Sequence, residues 1–334
     1  MPVPFTIVII SHGRPDLLKR TLESLEQCEF PATFSGTLVI ENGKRCGNEA
    51  VVLAASAALR ATYQFVEAPV KSASLNHAAR QYPGQWLVFF DDDVRLSPDV
   101  LNTYVAAFER QPHESYFGGW TGVDSEQSFP RWLEPYLPAS AKGFSPVNVT
   151  RLSPTSTEDA SAEDSTVSVP CQHFLGFNWS AKADALLKCG GFDERLGPGT
   201  PFLIGDEGLM QLRLHLHGLQ GHYLPNARVW HYVPASRLTP EFAIRRAYPG
   251  GFMRAIRTGL DCDHFGNRRP SLWSEIRRVF RKLTWPTLKR APWTLPFALR
   301  FQWLYARGFI QGTTALNERQ WTTLPNSDST HRVQ

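Results

Sequence analysis

Along the first hundred residues, short uninterrupted apolar runs alternate with stretches whose apolar positions recur at helical spacing. The runs are Phe5–Ile10, Thr37–Ile40, Tyr63–Val66 and Trp86–Phe90. Between them lie Leu17, Leu18, Leu22 and Leu25, an Ala-rich stretch to about Arg60, and a helical pattern from Ser74 to Tyr82. Because the runs are continuous rather than alternating, they predict strands buried on both faces, hence an α/β fold whose mixed, mostly parallel sheet is flanked by helices. A later block predicts helices at about Ala181–Cys189 and Glu207–His217, with a short strand at His222–Leu224. From Asp124 to Pro170 the residues are Ser, Thr, Pro and acidic types without a period, so an insertion or mobile loop is expected over 123–170.

The end of the chain has another pattern. Within Ser271–Thr284, Leu272, Trp273, Ile276, Val279, Phe280 and Leu283 fall on one helical face, with Arg277, Arg278, Arg281 and Lys282 on the others. Pro286, Pro292 and Pro296 are expected to break the chain before an aromatic stretch that runs to about Ile310.

Composition narrows the class. With 334 residues, 42% hydrophobic and 20% charged, the chain can bury a large core, which excludes a disordered tail or a disulfide-stapled miniprotein. No stretch of ~18 uncharged apolar residues occurs, so no spanning helix is expected. The opening MPVPFTIVIISHGR lacks a basic leader and a small-residue cleavage site, which predicts a cytoplasmic protein. Five widely spaced cysteines without a CxxC pair suit reduced thiols better than a structural zinc site; Cys171-Gln172-His173 alone is a poor one. Charge is uneven: residues 1–244 carry 19 basic and 26 acidic side chains (net −7), and residues 245–334 carry 16 and 5 (net +11). A basic, Trp-rich tail on an acidic body suggests an anionic partner for the tail.

The strongest chemical signal is Asp91-Asp92-Asp93 at the end of Trp86–Phe90. Three adjacent carboxylates repel one another unless a cation neutralises them, and hard oxygen ligands select Mg²⁺ or Mn²⁺. The competing reading, an acidic turn capping the helix after Ser97-Pro98-Asp99, needs one Asp and not three. There is no GxxxxGK[ST] and no GxGxxG after the first strand. Ser11-His12-Gly13-Arg14 stands there instead, a hydroxyl, a glycine turn and a guanidinium ahead of a helix start that could receive a nucleotide.

Taken in order, these residues resemble the family-2 glycosyltransferases, inverting enzymes that use nucleotide-sugar donors on the A-type glycosyltransferase fold. Thr6 to Arg14 looks like the family's first strand and nucleotide loop, and Glu41-Asn42 matches its acidic position after the second strand. Lys71 to Ala79 is similar to its donor-loop segment, and Asp91-Asp92-Asp93 matches its DXD-type motif. Gly190-Gly191-Phe192-Asp193-Glu194 resembles its GGFDE element, Gly205-Asp206-Glu207 stands where the family has Gly-Glu-Asp, and His231 where relatives carry a histidine near the metal. The resemblance covers about residues 3–255.

That resemblance implies roles. Ser11, His12, Arg14, Glu41, Asn42, Ser72, Asn76, Asp91 and Asp92 would bind the nucleotide sugar; Asp93, Asp91 and His231 would hold Mn²⁺ or Mg²⁺. The order Asp206 then Glu207 departs from the family's and leaves either as the base; register favours Glu207, with Asp206 an acceptor-binding neighbour. The expected acceptor is a saccharide or lipid-linked saccharide. The expected organisation is a catalytic domain over 1–255, with a nucleotide-sugar half over 1–122, the insertion over 123–170 and an acceptor half over 171–255. A basic amphipathic helical extension over 256–315 and a disordered tail over 316–334 follow. The extension is expected to dock peripherally on the cytoplasmic membrane face, with packing on the domain or homodimer formation as alternatives. Its single stripe has no RNA-binding signature, so no nucleic-acid partner is expected. The rivals are a metal-dependent sugar nucleotidyltransferase, which would not need Gly205-Asp206-Glu207, and a non-catalytic glycan- or membrane-binding protein.

Overall fold

A computed structural model describes residues 4–110, 115–144, 167–168 and 173–322; Cys171, Gln172 and much of the insertion expected over 123–170 lie outside them. The chain forms two compact units. The first comprises Met1–Asp124, Gly143–Thr200 and Asp206–Tyr232, and the second Ser125–Lys142, Pro201–Gly205 and Val233–Gln334.

In the first unit, β1 (Phe5–Ser11), β2 (Phe34–Asn42), β3 (Ala61–Val66) and β4 (Trp86–Asp91) form a parallel block in the order β3-β2-β1-β4. Helices α1 (Pro15–Leu25), α2 (Asn48–Leu53) and α3 (Lys71–Gln81) lie between the strands in sequence. Beyond β4 the sheet continues with β5 (Val94–Leu96), β6 (Ser115–Ser125), β7 (Val167–Ser168), β8 (Trp179–Lys182) and β9 (Gln220–Val233), in the order β4-β8-β6-β9-β5, with β7 on β9. The pairs β4–β8, β6–β8, β5–β9 and β7–β9 are antiparallel.

The continuous apolar runs have the expected cause. Phe5, Ile7 and Ile9 of β1, with Trp86, Val88 and Phe90 of β4, enter one core beneath Leu18 and Leu22 of α1 and Tyr104 and Phe108 of α4 (Val100–Arg110). Val8, Ile10, Leu87 and Phe89 enter a second core with Leu75 and Ala79 of α3, Leu186 of α5 (Ala183–Lys188) and Met210 and Leu214 of α6 (Asp206–Leu216). Side chains two apart share a face, so both faces must be apolar when both are covered. Trp86 stacks on Phe108 at 4.3 Å and Phe89 on Trp179 at 4.9 Å between ring centroids.

The second unit is helical: α7 (Pro240–His264), α8 (Leu272–Val279), a π-helical turn over Phe280–Thr284, α9 (Trp285–Arg290) and α10 (Leu295–Asn317). Helix α7 runs unbroken through position 255, with Pro249 inside it, and Trp321 beyond α10 is buried. Pro286 and Pro296 begin helices rather than break them, because the first turn lacks an intrahelical acceptor for their missing N–H. Trp132 and Tyr136, in the stretch expected as a loop, meet Phe297 of α10 edge to face. Helices α7 and α10 touch backbone to backbone: a Cβ on Gly251 would lie 2.0 Å from the Tyr305 carbonyl oxygen, and one on Gly308 2.0 Å from that of Tyr248. Buried Glu275 of α8 draws in Arg278 and accepts from the Tyr305 hydroxyl of α10 at 3.0 Å.

The single amphipathic stripe read from the sequence divides in two. Val279 is buried, with Leu272, Ile276 and Leu283 half-buried beside it, whereas Trp273 and Phe280 face outward.

Candidate active site

Parallel strands end at one edge of a sheet, and that edge is where open α/β sheets bind ligands. The register sets Ile10 beside Asp91 and Ser11 beside Glu41, so the polar ends of β1, β2 and β4 are neighbours. After β1, Gly13 takes a left-handed conformation (φ 67°), and Pro15 starts α1 at once. This tight exit carries Arg14 back over the carboxylates. Its guanidinium spans Asp93, at 2.6 Å, and Asp92. Burial opposes the charge on Arg14, but Asp93, Asp92 and Asp91 together outweigh it and raise its pKa. Asp92 is fully buried, accepts from the Ser11 hydroxyl at 2.5 Å, and is pushed up to about 6 by burial against the opposing pull of Arg14. Asn48 of α2 donates to the same Ser11 oxygen at 2.9 Å.

Asp91 has a different partner. Lys71, the first residue of α3, reaches it with Nζ 2.5 Å from Oδ1. Burial alone would raise the Asp91 pKa, and Lys71 instead holds it below the usual carboxylate range. Burial likewise opposes the Lys71 charge; Asp91, then Asp206 and Glu207, overcome it. One ammonium thus serves carboxylates from two elements, the end of β4 and the start of α6.

Asp206 and Glu207 occupy the first turn of α6, where unpaired amide N–H groups favour negative charge. Glycines make room for both. A Cβ on Gly197, at φ 90°, would fall 2.7 Å from Cγ of Asp206, and one on Gly176 3.1 Å from Cδ of Glu207. Burial first, and the neighbouring Asp206 second, raise the Glu207 pKa well above its ordinary value, with Lys71 and His173 pulling the other way.

His231 arrives on β9, opposite Val94 of β5, with the Tyr232 amide donating to the Asp93 carbonyl at 2.8 Å. Its Nε2 lies 3.5 Å from Oδ1 of Asp93, and its ring stacks on Phe177 at 4.5 Å. Among the described residues, no three His, Cys, Asp or Glu side chains converge as a ready-made cation cage. Asp91 is drawn to Lys71, and Asp93 to Arg14 and His231. The donor chemistry still fits a hard divalent ion, with two carboxylates flanking Asp92 at a strand end.

The other expected binding residues divide. His12 is exposed, its Nδ1 2.9 Å from the Asn42 carbonyl and 3.2 Å from the Asn42 side-chain oxygen. Glu41 is fully buried and committed: one carboxylate oxygen accepts from the Cys46 amide (2.8 Å) and the other from the Tyr63 hydroxyl (2.6 Å). Ser72 donates to the Leu196 carbonyl at 2.9 Å. Asn76 is clamped to Phe192, donating to its carbonyl at 2.9 Å and accepting from its amide at 2.7 Å. These three are turned to partners within the fold; Asn76 ties α3 to the GGFDE loop and Ser72 ties it to Leu196 just beyond. Gly176 and Gly197 have no place in the sequence analysis, and Lys71 stands there only as the first residue of the donor-loop segment. Lys71 has a local signal, a cation at the start of α3 on the strand-end edge; the glycines had none, since the side chains they admit are distant in sequence.

A parallel block extended by antiparallel strands, with carboxylates at a strand end and at a helix start linked through Lys71, has the architecture of the A-type glycosyltransferase fold. The chain belongs to the glycosyltransferase-like family 2, whose sequence profile matches residues 2–248. Among solved structures, the mannosyltransferase PcManGT from Pyrobaculum calidifontis, in complex with GDP-Man and Mn²⁺, is similar at a TM-score of 0.53 and 16% identity, over 96% of this chain and 76% of that one. S. aureus TarS 1–349 in complex with UDP-GlcNAc is similar at 0.50 and 11%, over 95% and 92%. At these identities the likeness is one of fold. No curated protein matches the chain in sequence.

Proposed function

We propose that this glycosyltransferase moves one sugar, with inversion, from a nucleoside-diphosphate sugar to a hydroxyl of a saccharide or lipid-linked saccharide. The observation that carries the reading is Lys71, held against Asp91 and in the field of Asp206 and Glu207. Strand-end and helix-start carboxylates then share one cation, so that groups suited to the leaving diphosphate and to the attacking hydroxyl lie around a single preorganised charge.

Glu207 acts as base, taking the proton from the acceptor hydroxyl as its oxygen attacks; burial makes it a stronger base than a solvated carboxylate. Asp206, buried beside it, orients the acceptor. Arg14 and Lys71 face the negative charge that the leaving diphosphate takes up. His12, exposed at the strand-end edge, receives the nucleoside with buried Asn42 behind it, supported by Ser11 and Asp92, while Glu41, Ser72 and Asn76 hold the surrounding backbone. Asp91 and Asp93 would hold Mg²⁺ or Mn²⁺ together with donor phosphates, and such an ion would neutralise the departing diphosphate. Support for the donor class comes from the two similar structures above, which carry GDP-Man with Mn²⁺ and UDP-GlcNAc.

The test is product analysis of the full-length protein with a panel of nucleotide sugars, Mn²⁺ and candidate saccharides. Release of free nucleoside diphosphate, with an inverted anomeric centre in the product by NMR, is the expected result. A retained anomeric configuration, or release of pyrophosphate, would overturn the proposal.

A further inference from the structure

The helical unit carries a surface whose residues have no part in the proposed sugar transfer. Once α8 and the turn after it have packed their inner side, Trp273 (78% exposed), Phe280 and Trp285 remain outside at positions i, i+7 and i+12, with Arg277 and Arg281 between them. Trp293 is 73% exposed. On α10 the buried face is Ala298, Phe301, Gly308, Phe309 and Gly312, and the opposite face presents Leu299, Trp303 and Ile310 at helical spacing, with Arg300 and Arg307 among them. Isolated exposed apolar residues need no explanation, but four outward tryptophans on consecutive elements do.

The charge around them identifies the occupant. Between Ile276 and Asn317 the chain has eight Lys or Arg and no Asp or Glu. Seven of the eight are exposed; the other, Arg278, turns in to Glu275, the nearest acidic residue upstream, which is itself buried. The surface of α8 to α10 therefore offers cations and indole rings without a neutralising carboxylate. Lys289 lies 5.1 Å from the Trp285 ring and Arg307 4.8 Å from the Trp303 ring. Such pairs suit the boundary between acyl chains and anionic headgroups, where an indole is half solvated and a cation meets phosphate. Among the described residues no helix is long and apolar enough to cross a membrane, so contact would be lateral.

We propose that α8, α9 and α10 dock on the surface of an anionic lipid bilayer, with Trp273, Trp285, Trp293 and Trp303 entering the headgroup boundary and Arg277, Arg281, Lys282, Lys289, Arg290, Arg300 and Arg307 binding lipid phosphates. The surface is not the whole stripe read from the sequence, since the Ile276–Val279–Leu283 side of that stripe packs inward.

The test is co-sedimentation of the full-length protein with vesicles of phosphatidylcholine alone or mixed with phosphatidylglycerol, at low and high salt. Partition should be about ten-fold or more stronger on the anionic vesicles and weakened by salt. Trp273→Ser/Trp293→Ser/Trp303→Ser should lose most of it with an unchanged melting temperature, and Arg300→Glu/Arg307→Glu should lose the preference for anionic lipid. If the triple variant melts lower, Trp273→Ser, at the most exposed of the three positions, replaces it. No partition, or equal partition on both vesicles, would overturn the proposal. So would a concentration-dependent dimer in sedimentation velocity that the tryptophan substitutions abolish without affecting vesicle binding, which would assign the face to a second copy of the chain. None of these readouts depends on sugar transfer.

Discussion

Lys71 and Asp91 form an ion pair between the first turn of α3 and the last residue of β4, and both side chains are largely shielded from water. Removing the cation leaves Asp91 facing Asp92 and Asp93 with less compensation, and leaves Asp206 and Glu207 without the same ammonium. Lys71→Met is expected to lower kcat/KM by about 10²-fold, the scale of one preorganised electrostatic group. Lys71→Arg should retain part of the activity. Steady-state kinetics with one nucleotide sugar checks both, and wild-type rates for Lys71→Met would remove this residue from the site.

Turnover by Glu207→Gln should fall by about 10²–10⁴-fold, because a general base is lost at constant size, while donor affinity stays near wild type. Asp206→Asn should act more on the acceptor KM. An exchange of these two phenotypes would make Asp206 the base.

The pH profile follows from the same carboxylate. Glu207 must be ionised to accept a proton, and burial and Asp206 raise its pKa. The acidic limb of kcat/KM should therefore lie above the ordinary Glu value of about 4.3. Lys71 opposes that rise, so Lys71→Met should move the limb still higher. A limb that stays put in that variant would separate Lys71 from Glu207.

Donor binding should weaken on chelation and in Asp93→Asn, because an ion at the strand end would then lack a ligand. Isothermal calorimetry with a nucleoside diphosphate, with and without Mn²⁺, reads this directly. Equal affinities in all arms would mean that Arg14 and Lys71 neutralise the phosphates alone.

Asp193 accepts from Nη2 of Arg213, a buried arginine whose Nη1 donates to the Gly191 carbonyl at 2.9 Å. Asp193→Ala strands that charge and should lower unfolding free energy by about 3 kcal/mol in chemical denaturation. Although burial pushes the Asp193 pKa up, the Arg195 hydrogen bond and the two arginine charges hold it below its unfolded value. Its stabilising contribution is thus present above the unfolded pKa and is lost as pH falls through the folded one. The variant should show a correspondingly flatter acid limb of stability. A change within about 0.5 kcal/mol, typical of surface sites, would refute the account.

Strands β1 to β4 and the triple Asp were legible because their signals are local: apolar runs four to six residues long and, after β4, carboxylates where the run stops. Strand β6 was not, since Gly118-Gly119 looks like a turn. In the fold, a Cβ on Gly118 would meet Phe174 at 2.0 Å and one on Gly119 the Ala227 carbonyl oxygen at 2.1 Å, contacts that chain order hides. Pro225 similarly concealed the length of β9, of which only His222–Leu224 was anticipated. At the site, Asp206, Glu207, Arg14 and His231 were visible as motif residues. Glu41, Ser72 and Asn76 were visible too, but their inward hydrogen bonds depend on partners that only the folded chain supplies.

Because Gly251, Gly308 and Gly312 bring the backbones of α7 and α10 into contact, neither helix can be released without separating the other's carbonyl groups from a surface with no side chain to fill the gap. The pair should open as one cooperative unit. In native-state hydrogen exchange, amides near Phe252 and Phe309 should share a single high protection and a single denaturant slope, while those in the π-helical turn at Phe280–Thr284 exchange earlier. Proteolysis under native conditions should accordingly cut between α8 and α10 before it cuts either member of the pair.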